Sequence, residues 1–133
     1  MRIYVCSPYR ADNIEKLEEN VAFARECCRA IFDAGHDPYA PHLFFPQFCN
    51  DGDPNERAKC MEAAMRELLL CDGMMIFGET VSEGMCAEID FVNKFRIPIF
   101  HATNHEPGRD VLNAVVLFEV RSGSWARAGR VCR

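Results

Sequence analysis

Short apolar runs alternate along this chain with longer stretches of helical periodicity. The runs at 2–7, 73–78 and 97–102 have the length and composition of buried β-strands. The segment 37–42 is a shorter extended piece, because each of its prolines pushes the preceding residue toward extended geometry. Strands of this kind, separated by helices, predict an α/β fold: a three-layer sandwich whose parallel sheet of four to five strands has helices on both faces.

Helices separate these strands and follow the last one. The predicted helices run from a cap at Asp12 or Asn13 to Gly35, from Asp53 to about Cys71, from the junction at Gly84 onward, and over roughly 107–121. The stretch 43–57 is predicted as a loop rich in aromatic residues and then in turn residues. No repeat or linker divides the chain, so we predict a single domain over 1–133. Its tail, 121–133, is a basic extension with four arginines and no acidic residue.

Composition and charge exclude several classes of protein. The chain has 133 residues, of which 49% are hydrophobic and 26% charged, as in a globular domain. Its net charge of −5 does not favour a nucleic-acid-binding surface. No apolar stretch approaches the length of a membrane span, and the N-terminus lacks the hydrophobic region of a signal peptide. We therefore expect a cytoplasmic protein with no nucleic-acid and no membrane partner.

The sequence lacks the motifs of common cofactor and metal sites. Eight cysteines are present, but no C-x-x-C occurs, and the four histidines do not have the spacing of a zinc site. Several of the cysteines lie in apolar segments, as small buried hydrophobic residues do. Neither G-x-G-x-x-G nor a Walker A sequence occurs. We predict neither a metal nor a cofactor.

One carboxylate interrupts the apolar pattern of the third helix. A rotation of roughly 100° per residue from Gly84 places Met85, Ile89 and Val92 on one arc, and Glu88 near its middle. A carboxylate rarely occupies a buried face without a partner or a function. Glu88 either forms a salt bridge or uses the helix dipole, or it acts as a nucleophile or general base in a pocket.

Polar residues and glycines concentrate where the predicted strands end. Ligands of open parallel sheets bind at this edge. Ser82 precedes a helix whose free N–H groups suit a phosphate, or it is simply the N-cap. Arg10 either pairs with a phosphate or is a surface charge. Tyr4 and His42 either contact a ligand or have structural roles. The shared location of these residues predicts a binding site.

Three segments, "IYVCSPYR", "CDGMMIFG" and "SEGMCAEIDF", occur in an order that resembles the nucleoside 2-deoxyribosyltransferase-like family, over about residues 2–101. That family includes the 2′-deoxynucleoside 5′-phosphate N-hydrolases and has a Rossmann-like fold. The resemblance implies that Glu88 attacks the anomeric carbon of the sugar and that the Tyr4 hydroxyl approaches this carboxylate. Ser82, six residues before Glu88, is similar to the serine that meets the 5′-phosphate in the nucleotide hydrolases, where the transferases tend to have aspartate. Ser7 and Arg10 match the same phosphate pattern.

The resemblance and the strand-end pattern together predict cleavage or transfer at the N-glycosidic bond of a (deoxy)nucleoside 5′-monophosphate through a glutamate nucleophile. The predicted partner is a small-molecule nucleotide or nucleoside. The catalytic residues would be Glu88 and Tyr4, and the substrate-binding residues Ser7, Arg10, His42, Ser82, Gly84 and Met85. Sites of the family are often completed by a neighbouring subunit, which implies a homodimer or a higher homo-oligomer.

The sequence departs from the family pattern at one position. Family enzymes usually carry an aspartate that helps to protonate the leaving base, and counting back from Asp72 places Ala64 there. Glu62 or Glu67 would have to replace it. Further segments, such as "APHLFFPQF" and "DGDPNER", resemble an uncharacterised subgroup frequent in bacterial and phage genomes. The alternative function is therefore a catalytically weak or inactive protein that binds a nucleotide or a nucleotide signal.

Overall fold

A five-stranded sheet forms the centre of the computed structural model, which describes residues 1–78, 81–102 and 118–120. The strands are β1 (Arg2–Cys6), β2 (Asp37–Tyr39), β3 (Gly73–Ile76), β4 (Ile99–His101) and β5 (Phe118–Val120). Their spatial order is β2-β1-β3-β4-β5. The first four strands are parallel, and β5 is antiparallel to β4.

Helices connect these strands. They are α1 (Ile14–Asp33), α2 (Pro41–Phe44), α3 (Pro54–Leu68) and α4 (Glu83–Lys94), with a short 3₁₀ helix at Phe45–Gln47. Asn13, rather than Asp12, caps α1, because its side chain accepts a hydrogen bond from the backbone N–H of Lys16 at 2.8 Å. Gly35 follows α1 with a φ of +86°, a conformation that favours glycine. No helix in the described ranges is long and apolar enough to cross a membrane.

The two faces of the sheet pack against different helices. Tyr4 and Cys6 of β1 join a core cluster with residues of α3 and α4, whereas Ile3 and Val5 join a second cluster with residues of α1. This alternation along β1 is the two-residue period of a strand. The structure confirms the predicted α/β fold with helices on both faces of the sheet. The same alternation directs Tyr4 and Cys6 toward α4.

Two predictions of secondary structure were wrong. The helix predicted at 107–121 does not form at Phe118–Val120, which pairs with β4 as a strand. Pairing with β5 provides hydrogen-bond partners for the backbone groups at the edge of β4. This tertiary interaction outweighs the local helical pattern. The remaining parts of that prediction, and the extension at 121–133, lie outside the described residues. The predicted loop at 43–57 contains the end of α2 and the 3₁₀ helix, because Pro41 occupies the helix start, where its missing N–H costs nothing.

Helix boundaries differ from the predicted ones by a few residues. Helix α4 begins one residue before Gly84, because the Ser82 hydroxyl caps it. Helix α3 ends at Leu68 rather than near Cys71. The backbone N–H groups of Leu70 and Cys71 bond to carbonyls three residues back, so the chain tightens into a turn there.

Candidate functional site

The Glu88 carboxyl group is held by a side chain of the central strand. Tyr4 has no exposed surface, and its hydroxyl donates a hydrogen bond to Oε1 of Glu88 at 2.8 Å. Cys6, the next residue on the same face of β1, also hydrogen-bonds to this carboxyl group through its thiol. The period of the strand therefore brings two donors from β1 to one acidic group on α4.

The surroundings of Glu88 favour its protonated form. Burial raises the pKa of its carboxyl group to about 7, although the hydrogen bonds from Tyr4 and Cys6 act in the opposite direction. Burial, followed by the nearby Glu88 carboxylate, raises the pKa of Tyr4 and of Cys6. Both groups therefore keep their protons at neutral pH and serve as donors. Near neutral pH, Glu88 changes between its acidic and its ionised form.

The structure does not support a purely electrostatic explanation of Glu88. None of the ion pairs between the described residues includes it. It is also the sixth residue of α4, beyond the first turn, where the helix dipole has its main effect. A salt bridge and the dipole, the two structural roles considered from the sequence, therefore do not account for this carboxylate.

A second polar contact lies at the ends of β1 and β2. Ser7 is buried, and its Oγ lies 2.7 Å from Nε2 of His42. Burial lowers the pKa of His42 to about 4, so the ring is neutral at pH 7. The Tyr9 ring packs at a tilt against the imidazole, with 6.2 Å between the ring centroids. The structure thus brings together Ser7 and His42, which the sequence had placed at separate strand ends.

The turn after β3 packs beside the turn after β1. Gly78 has a φ of +98°, and a Cβ at this position would lie 3.8 Å from Pro8. Ser82 lies four residues after Gly78, and its Oγ accepts a hydrogen bond from the backbone N–H of Met85 at 3.3 Å. Ser82 is thus the N-cap of α4, one of the two roles considered for it.

Gly84 and Met85 lie in the first turn of α4 but have different surroundings. Met85 is almost fully buried and packs in the same core cluster as Tyr4. Its sulfur also accepts a hydrogen bond from the backbone N–H of Ser82 at 3.5 Å. A Cβ added at Gly84 would meet no atom of the described residues within 4 Å. Open space at this position is compatible with a ligand near the start of α4.

Arg10 forms an ion pair with an aspartate that the sequence had not indicated. Its Nε lies 3.1 Å from Oδ2 of Asp51, and the same oxygen lies 3.4 Å from Nη1 of Arg57. The Arg10 side chain is 61% exposed. From the sequence, Asp51 had been placed in the turn-rich part of the predicted loop 43–57, because sequence spacing gives no sign that Asp51 returns to the end of β1.

Three aromatic side chains that follow His42 in the chain form a cluster. The rings of Phe44, Phe45 and Phe48 meet edge to face, with centroids between 5.2 and 5.9 Å apart. Phe44 is 52% exposed and Phe48 is 62% exposed. These two side chains are therefore not part of the hydrophobic core.

Neither of the two glutamates considered from the sequence is placed to act in the position of Ala64. Ala64 is buried within α3. Of the two substitutes considered, Glu67 pairs with Arg2 at 2.8 Å, and Glu62 is exposed to solvent. In the part of the chain that the structure describes, no group of three or more His, Cys, Asp or Glu side chains is arranged to hold a metal ion.

Comparisons with known proteins agree with this fold. The chain superposes on a 2-deoxyribosyltransferase from the psychrotolerant bacterium Bacillus psychrosaccharolyticus with a TM-score of 0.56 and 18% sequence identity, covering 80% of this chain and 76% of that one. This similarity confirms the expected nucleoside deoxyribosyltransferase-like fold. A conserved protein from Enterococcus faecalis V583 has a TM-score of 0.48 and 21% identity, covering 75% of this chain and 61% of that one.

Sequence comparison gives the family. A search of curated proteins found no match to this chain. Residues 1–102 match a protein family described as a domain of unknown function, DUF7768. The match includes Tyr4, Ser7 and Glu88, and it covers most of the chain. The protein is therefore a member of the DUF7768 family, with the fold of a nucleoside deoxyribosyltransferase.

Proposed function

We propose that this protein breaks or transfers the N-glycosidic bond of a nucleoside-type substrate, with Glu88 as the nucleophile. The observation that carries the proposal is the Glu88 carboxyl group, which is fixed by the Tyr4 hydroxyl at 2.8 Å and forms no ion pair with a described residue. Carboxyl groups whose pKa is shifted by their surroundings occur more often at functional sites than elsewhere in a protein. The similarity in fold to a 2-deoxyribosyltransferase supports the same reaction class.

The reaction has two steps. The ionised Glu88 carboxylate attacks C1′ of the sugar; a carbon–oxygen bond forms, and the bond to the base breaks with its electron pair leaving on the base. A glycosyl ester with the enzyme results. Water, or a second base, then attacks C1′ and releases Glu88 as a carboxylate. One glutamate therefore serves both hydrolysis and transfer, and the acceptor decides the product.

Tyr4 and Cys6 fix the Glu88 carboxyl group beneath the sugar. Their neutral hydroxyl and thiol donate hydrogen bonds to it, which favours the ionised form needed for attack. Burial acts against ionisation, and the balance is a pKa of about 7. A carboxylate with this pKa is more nucleophilic than an ordinary exposed one, yet it is substantially ionised at neutral pH.

We further propose a nucleoside 5′-monophosphate as the substrate. Ser7, Arg10 and Ser82 all lie at the carboxyl edge of the sheet, and the start of α4 offers its N–H groups there. Each of the three side chains has a protein partner: His42, Asp51 and the backbone of Met85. A phosphate would replace Asp51 as the partner of Arg10, and charge-assisted hydrogen bonds of this kind are strong.

Replacing Arg10 with alanine tests the phosphate proposal. We expect the KM for nucleoside monophosphates to rise roughly tenfold or more, with little change for the matching nucleosides, because only the former use the guanidinium group. The control is Arg29→Ala, which removes another largely exposed arginine, paired with Asp33 on α1. Steady-state kinetics on both substrate types gives the comparison. An equal loss on nucleosides and monophosphates would contradict a phosphate contact.

The alternative function is binding without turnover. It is favoured by Ala64, because the leaving base then has no carboxylic acid from α3 to protonate it. In this case the same site would hold a nucleotide, and Glu88 would hydrogen-bond to the sugar.

A panel assay distinguishes the two functions. The protein is incubated with deoxynucleoside and ribonucleoside monophosphates and with the matching nucleosides, and free base is followed by chromatography. A second base is added in parallel to detect transfer. Release or exchange of base establishes the enzyme and identifies the preferred sugar. Tight binding, measured by calorimetry, without release over hours would instead establish the binding protein.

A further inference from the structure

Two cysteines meet where the chain turns from the aromatic cluster into α3. The thiol of Cys60, on α3, lies close enough to that of Cys49 to interact with it, and this contact, followed by burial and the nearby Glu56 and Asp51 charges, raises the pKa of the Cys60 thiol to about 11. Both cysteines are free, and both are partly exposed to solvent. A disulfide bond can form without movement of the backbone only between cysteines that already lie close together, as these two do.

The neighbouring contacts hold these two cysteines in register. The backbone N–H of Asn50 donates to Oε2 of Glu56 at 2.6 Å, and the next residue, Asp51, pairs with Arg57 at 3.4 Å. Cys60 lies four residues after Glu56 and three after Arg57, so all three share one face of α3. Three consecutive residues of the turn thus contact one face of the helix.

The backbone on the other side of the turn is also fixed. The N–H of Cys49 donates to the carbonyl oxygen of Phe45 at 2.8 Å, and Gly52 N–H donates to the Asn50 side chain at 3.0 Å. Asp53 then caps α3 by accepting from Asn55 N–H at 2.9 Å. The segment that carries Cys49 is therefore placed against α3 by several contacts that do not depend on the thiols.

We propose that Cys49 and Cys60 are a redox modification site and form a reversible disulfide bond within one chain. The oxidant is a hydroperoxide. One thiolate attacks a peroxide oxygen and becomes a sulfenic acid, with release of hydroxide; the other thiolate then attacks that sulfur, with release of a second hydroxide. Each hydroxide takes up one of the two thiol protons. With hydrogen peroxide as the oxidant, two thiols are therefore converted into one disulfide bond, and two molecules of water form.

This bond would act on the segment that holds Arg10. The closed loop contains Asp51, whose Oδ2 lies 3.1 Å from Nε of Arg10. A disulfide limits the freedom of such a loop, and thus keeps Asp51 against α3. The inference does not rest on the proposed function, because the bond is detected without any substrate.

Peptide mapping tests the proposal directly. Trypsin separates the two cysteines, because Cys49 lies in the fragment 30–57 and Cys60 in the fragment 60–66. The native protein is treated with hydrogen peroxide at low molar excess, its remaining thiols are alkylated, and the digest is analysed by mass spectrometry. We expect the two fragments to appear joined, 2 Da lighter than their sum as expected for loss of two hydrogen atoms, and to separate again after treatment with dithiothreitol.

Variants and isotope labelling make the result decisive. Cys49→Ser and Cys60→Ser are each expected to abolish the joined fragment, whereas Cys28→Ser, which removes a partly exposed thiol on α1, should leave it unchanged. An equal mixture of ¹⁴N and ¹⁵N protein should give joined fragments of a single isotope only. The proposal is overturned if the two thiols are oxidised without being joined, if they resist oxidation while Cys28 reacts, or if the joined fragments carry both isotopes.

Discussion

Replacing Glu88 with glutamine is expected to reduce the release of base at least about a thousandfold, because the amide cannot attack C1′. Glutamine keeps the shape of the side chain and can still accept a hydrogen bond from the Tyr4 hydroxyl, which lies 2.8 Å from Oε1 in the native protein. The fold should therefore remain, as checked by circular dichroism. The rate is measured on the best substrate of the panel under single-turnover conditions.

The matched control for this variant is Asp90→Asn. Asp90 lies two residues further along α4, is exposed to solvent, and loses the same charge. It should retain full activity. Mass spectrometry of the acid-quenched native protein should also detect the glycosyl ester as an added sugar mass, which is absent from Glu88→Gln. Turnover at the native rate in Glu88→Gln would show that Glu88 is not the nucleophile. If the native protein releases no base, and the native and Glu88→Gln proteins bind nucleotide equally well, the binding function would be favoured.

The hydrophobic pattern was sufficient to predict the layers of the fold. Apolar runs at 2–7, 73–78 and 97–102 became β1, β3 and β4, because a strand buried on both faces leaves a nearly continuous apolar sequence. The same reasoning identified Glu88 as exceptional, since helical periodicity is local and can be counted. The strand β5 was missed because its pairing with β4 is a tertiary contact that leaves no mark in the local sequence.

The partners of the site residues were harder to predict. Tyr4 was connected with Glu88 only by resemblance to a family, since the contact joins residues 84 positions apart. Cys6 was overlooked, although it lies on the same face of β1 as Tyr4 and its thiol also bonds to Glu88. Asp51 was overlooked because the turn before α3 returns to the end of β1. These contacts depend on strand register and on loop geometry, which a single sequence does not specify.

The Glu88→Gln variant is also expected to be more stable than the native protein at pH 8, by up to roughly 3 kcal/mol, the free-energy equivalent of a carboxyl pKa that rises from 4.5 in the unfolded chain to about 7 in the fold. Between these two values, the folded protein binds more protons than the unfolded chain. The stability of the native protein therefore falls as pH rises through this range. At pH 4.5 the carboxyl group is neutral in the fold and half ionised in the unfolded chain, so the two proteins should differ by less than about 0.5 kcal/mol.

Urea unfolding at pH 4.5 and pH 8 measures this difference, with Asp90→Asn expected to change the free energy of unfolding by less than about 0.5 kcal/mol at either pH. A Glu88→Gln variant that loses stability at pH 8, or gains equally at both pH values, would contradict the desolvated carboxylate.

If the charge of Glu88 stabilised the fold, replacing Glu88 with glutamine would lower the free energy of unfolding. A buried nucleophile that must be ionised should instead lower the free energy of unfolding. The burial that destabilises its charge raises its pKa to about 7 and also makes it reactive. A gain in stability together with a loss of turnover would therefore identify Glu88 as a residue retained for chemistry rather than for folding.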